Sequence, residues 1–103
     1  MEKHLLITLL QKSVKEESVR LDKLKFFLFG SFGRAASPND IDLLIMYDRD
    51  YISIEQILFL RRKIVTYSKE VIDIPMDISL LTFIEEKELN FIETEKATEL
   101  IIN

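Results

Sequence analysis

Two aspartates one residue apart, Asp40 and Asp42, open the apolar run DIDLLIMY. On an extended chain, positions i and i+2 face the same side, so both carboxylates leave the backbone together. Such a pair can bridge divalent ions about 3.5 to 4 Å apart. An isolated D-x-D also suits a solvated strand edge, so its neighbours decide its meaning. The only two glycines in the chain, Gly30 and Gly33, fall within one four-residue stretch, GSFG, inside FLFGSFGR. At Gly30-Ser31 the missing Cβ admits close approach of an anion, and successive N–H groups can line a nest for phosphate oxygens. A third acid, Asp77, stands in IPMDISLL. Asp73 shares its strand face, but Asp77 is flanked by apolar residues within the strand and is the stronger candidate for a shared site.

These residues need elements to position them. Leu5, Leu6, Leu9, Leu10, Val14 and Leu24 recur at roughly helical spacing among Lys and Glu, slipping near Ser13 and Ser18, and predict an amphipathic helix over 2–24. KFFLFG, residues 25–30, reads as a buried strand ending in a tight turn, and residues 40–47 as a second strand with Ile41, Leu43 and Ile45 on one face. Ser53 and Gln56 form a capping box, which opens a helix over 54–68 with Ile54, Ile57, Leu58, Ile64 and Val65 on one face. Ile74 to Leu81 is a third strand, with Pro75 near its start, where a missing N–H costs least. Thr82 and Glu85 form a second capping box, opening a last helix through Phe83, Ile84, Leu89 and Ile92 towards Leu100. Only the eight residues 32–39 separate Ser31 from Asp40, too few for a parallel crossover, so the first two strands should be antiparallel neighbours. The Gly-Ser turn and the acid pair then meet at one end of the sheet. A helix over 54–68 can cross a face and deliver the third strand, so that Asp77 converges on the pair.

Composition restricts the alternatives. A chain of 103 residues with 48% hydrophobic and 31% charged residues suits one α/β (α+β) domain over 1–103, with a small mixed sheet and helices, and excludes a multidomain polymerase. With 14 Lys plus Arg against 18 Asp plus Glu, the net charge of -4 is the wrong sign for a surface that grips nucleic acid everywhere, though a local basic groove remains compatible with it. Without cysteine there is no disulfide or thiolate ligand, which leaves carboxylates and Mg-type chemistry for any metal. No apolar run reaches the length of a membrane span, and a cytoplasmic protein is expected.

FLFGSFGR, AASPN, DIDLLIMY and PMDISLL, in that order, resemble the minimal nucleotidyltransferases of the DNA polymerase beta-like superfamily. Their signature is an apolar strand, Gly-Ser, a loop, Asp-x-Asp on an apolar strand and a later strand acid. The resemblance implies that Gly30 and Ser31 hold the triphosphate and that Asp40 and Asp42 bind two Mg2+ ions. It also implies that Asp77 completes the site, as a ligand or as the group that receives the proton of the attacking hydroxyl. The implied reaction is attack of that hydroxyl on the alpha-phosphate of a nucleoside triphosphate, most plausibly ATP, with loss of pyrophosphate. Many relatives show Gly-Ser-x-Ala-Arg-Gly and a longer loop. Here Gly33 replaces the alanine, Ala35 replaces the last glycine, and Arg34 takes the basic position, from which it could touch phosphate or a partner.

A domain of this size has no room for an added domain to grip an acceptor, so a protein acceptor that brings its own surface is expected. Stand-alone members are often encoded beside a helical HEPN-domain toxin, and some act as antitoxins by adenylylating a toxin tyrosine; the resemblance extends that role here and leaves room for self-association. The alternative is a non-catalytic module that neutralises a partner by occlusion. Against it, crowded like charges lacking a metal are destabilising and have no structural reason to persist. The remaining features read as structure. His4 is a solvated helix residue, consecutive Arg61, Arg62 and Lys63 fan out around a helix, Phe26, Phe27 and Phe29 are core, and Glu85, Glu86, Glu88, Glu93 and Glu95 face water.

Overall fold

A computed structural model describes residues 3–17, 23–30, 40–72 and 74–102. The elements in chain order are α1 (Lys3–Glu17), β1 (Leu24–Phe29), β2 (Ile41–Tyr47), α2 (Ile54–Val71), β3 (Met76–Thr82), α3 (Phe83–Leu89), α4 (Phe91–Thr94) and β4 (Thr98–Glu99). The four strands form one mixed sheet in the order β3-β2-β1-β4, with β1 and β2 antiparallel and β2 and β3 parallel.

The central strand explains the arrangement. Ile41, Leu43, Leu44 and Ile45 have no exposed surface, because apolar layers cover β2 on both faces. A near-continuous apolar run is the sequence form of a strand buried on both sides. On one face, Leu6, Leu10 and Val14 of α1 and Ile57, Leu60 and Ile64 of α2 pack against Phe26, Leu28, Leu43 and Ile78. On the other, Phe27, Leu44 and Met46 are covered by Phe83, Phe91 and Ile92. Side chains alternate along a strand, so Asp42 lies on the second face with Leu44 and Met46, and Asp77 lies there with Leu81.

The amphipathic first helix is present, but Leu24 does not belong to it: it is the first residue of β1 and is buried in the sheet. The slippage at Ser13 has a structural cause. Ser13 is fully buried and its hydroxyl lies 3.0 Å from that of Ser68, so a polar pair satisfies itself inside the α1/α2 contact.

The Ser53 capping box forms in full, with Gln56 N–H donating to Ser53 Oγ at 3.2 Å and Ser53 N–H to Gln56 Oε1 at 2.9 Å. Ser53→Ala should destabilise the fold by about 1 kcal/mol, lowering Tm by roughly 4–8 °C, as measured by thermal unfolding. The inward face of α2 is narrower than its apolar spacing suggests. Ile57, Leu60, Ile64 and Ser68 are buried, whereas Ile54 is 55% exposed and Leu58 37%.

The single last helix is overturned. The Thr82 capping box starts α3 as expected, with Glu85 N–H donating to Thr82 Oγ1 at 3.1 Å. Hydrogen bonds from Thr82 hold the Glu85 carboxyl below its usual range. Asn90, however, adopts a left-handed conformation at φ 54°, ending α3 and starting α4. Asparagine tolerates this backbone as a helix terminator. A second left-handed residue, Lys96 at φ 53°, turns the chain into β4, which pairs antiparallel with β1 at Phe27 and Leu28.

Candidate functional site

The site lies where β1 ends and β2 and β3 begin. Across these three strands Phe29, Asp42 and Asp77 are register partners, so the acid of one strand sits beside the acid of the next. Asp40 precedes β2 by one residue, and its neighbour Ile41 donates its N–H to Pro75 O at 2.9 Å, which ties the entry of β2 to the entry of β3. Asp40, Asp42 and Asp77 are therefore brought together, with Asp40 and Asp77 exposed and Asp42 half-buried.

Gly30 adopts φ +69°, a left-handed backbone that disfavours a side chain. A Cβ there would lie 3.2 Å from Asp42 Cγ and overlap the carboxylate. The glycine thus serves two purposes: it turns the chain out of β1 and leaves space for Asp42. Ser31, Arg34 and the alternative acid Asp73 lie outside the described residues, as do Gly33 and Ala35.

Burial first, and then the charges of Asp40, Asp77 and Glu95, hold the Asp42 carboxyl above its ordinary range. Glu95 was expected only to face water. It is exposed, but α4 carries it to the Asp42 side of the sheet, where its charge is felt. Phe91 fixes α4 there, its ring meeting Phe29 edge to face at 5.0 Å between centroids. The sequence signal was Asn90, whose left-handed turn redirects the chain after α3.

Among the described residues, no group of three or more His, Cys, Asp or Glu is arranged so that it could hold a metal ion, Asp40, Asp42 and Asp77 included. The acids stand open at the end of the sheet. Their chemistry nevertheless fits a hard divalent cation: every donor is an anionic oxygen, and Asp42 experiences the like charges that such a cation would neutralise. The arrangement can concentrate positive charge beside Gly30.

The model of the nucleotidyltransferase domain family matches residues 7–100, from within α1 to the residue after β4. No curated protein matches the chain significantly.

Proposed function

The chain belongs to the nucleotidyltransferase domain family, and from that premise we propose that it transfers NMP, most plausibly AMP, from a nucleoside triphosphate to a hydroxyl of a partner protein. The observation that carries the reading is the register of Phe29, Asp42 and Asp77 across three adjacent strands, with Gly30 clearing space beside the middle acid.

Gly30 and Ser31 receive the triphosphate, and Arg34 adds a positive charge to its oxygens. Asp40, Asp42 and Asp77 would hold two Mg2+ ions, which would supply neutralisation of charge building on the phosphates and help ionise the acceptor hydroxyl. Asp77, at the edge of the site, accepts the proton of the incoming hydroxyl. The hydroxyl oxygen forms a bond to the alpha-phosphorus, the bond from that phosphorus to the bridging oxygen breaks, and pyrophosphate carries away the electron pair. Positioning and fixed charge supply most of the acceleration, which suits a site built from acids and a turn.

The antitoxin role, with a HEPN-domain toxin as acceptor, rests on analogy with stand-alone members of the family and on no residue of this chain. Incubating the chain with alpha-labelled ATP, Mg2+ and its copurifying proteins should move label onto a protein. Neutralisation of a partner without any transfer of label would instead identify an occluding module.

A further inference from the structure

The consecutive cations of α2 do not fan out evenly. Arg61 and Arg62 line one groove of about 430 Å³, together with Leu58, Val65, Met76 and Asp77, while Lys63 Nζ lies 5.3 Å from the Phe59 ring centroid. The groove continues into a second, which shares Val65 and Met76 and adds Lys69. Leu58, Arg62, Val65 and Lys69 are spaced by four, three and four residues, so they form one helical stripe alternating apolar and basic groups. Neither Arg61 nor Arg62 is engaged by a carboxylate or carbonyl among the described residues.

Three features define what this groove can hold. Its cations stand out in a chain of net charge -4, which selects an acidic occupant. Its apolar floor, with Leu58 37% exposed, suits side chains rather than a row of phosphates. Its outer wall is β3, the sheet's edge, with no further strand paired to it among the described residues, so backbone N–H and C=O groups face an incoming extended chain.

We propose that the groove between α2 and β3 docks the acceptor as an extended, acidic polypeptide segment, Arg61 and Arg62 engaging its carboxylates while its hydroxyl reaches Asp77. This rests on the reading of Asp77 as the acid of a nucleotidyl-transfer site. Asp77 stands on the edge strand beside the groove with its side chain on the face away from α2, so the segment passes over the edge of β3 to bring its hydroxyl to that carboxylate, leaving Gly30 to the nucleotide.

A random copolymer of glutamate and tyrosine, fluorescently labelled, is the probe, with binding read by anisotropy on the full chain. Arg61→Glu with Arg62→Glu should weaken its binding by about tenfold, and Lys69→Glu alone by less, with unfolding curves checking that each variant folds. A photoreactive copolymer should cross-link to peptides containing Arg61, Arg62 or Met76. Unchanged affinity in the double variant, cross-links confined elsewhere, or tighter binding of oligothymidylate than of the copolymer would each overturn the proposal. Binding of Mg-ATP by the wild-type chain is measured separately: its absence would defeat the nucleotidyl-transfer reading, whereas copolymer binding reports on the groove.

Discussion

Asp42→Asn will reduce nucleotidyl transfer by about 10³-fold, the equivalent of roughly 4 kcal/mol in the barrier. The same substitution will make the metal-free chain more stable at neutral pH. Both effects have one cause. Asp42 is half-buried beside Asp40, Asp77 and Glu95, and its carboxyl is held above the ordinary range by burial and then by those charges. A folded-state pKa raised above the unfolded value means that the folded chain binds the proton more tightly. The associated stability is therefore fully present below the ordinary aspartate range and is lost as pH rises through the raised value. Asparagine has no proton to lose and acquires no charge as pH rises, so the variant lacks this descending slope. Melting curves in EDTA from pH 3 to pH 8 should show the variant's advantage at neutral pH and its disappearance in acid. Added Mg2+ should raise Tm more in the wild type than in the variant, because binding to the folded state stabilises it. Transfer that survives the substitution would remove Asp42 from the chemistry, and a wild-type curve lacking the slope would remove the electrostatic account.

Local chemistry in the sequence carried most of the architecture. Both capping boxes form with their reciprocal hydrogen bonds, because each depends only on residues three apart. The antiparallel pairing of β1 and β2 followed from loop length, which is also local. What the sequence concealed depends on distant partners. Leu24 has the spacing of the preceding helix, yet the sheet takes it as the start of β1. Phe83 to Leu100 has helical spacing throughout, and only the left-handed residues Asn90 and Lys96 divert it into α4 and β4. Glu95 and the paired cations Arg61 and Arg62 could be read only as surface charge, because their neighbours come from other elements. In the site, the acids were legible by type and strand alternation. Their depth relative to one another required the register that places Asp42 beside Asp77.

The register also makes Gly30 the position where the smallest substitution should do the most harm. Gly30→Ala adds one methyl group, and it acts in two ways. At φ +69° the left-handed backbone costs a side-chain-bearing residue about 1–2 kcal/mol. The new Cβ would also occupy the space of the Asp42 carboxylate, which must rotate or shift to relieve the overlap. A displacement of about 1 Å in a group that positions reactants can cost about 10²-fold in rate. Activity should therefore fall further than stability alone predicts, and transfer should remain low at temperatures where the variant is fully folded. A double-mutant cycle separates the two contributions. Placing Gly30→Ala in an Asp42→Gly background removes the overlap but keeps the backbone strain, so its stability cost should shrink towards the backbone term, with the remainder appearing as coupling between the two positions. Equal costs in the two backgrounds, with full activity in the single variant, would show that Gly30 serves only the turn and that the space beside Asp42 is incidental to the site.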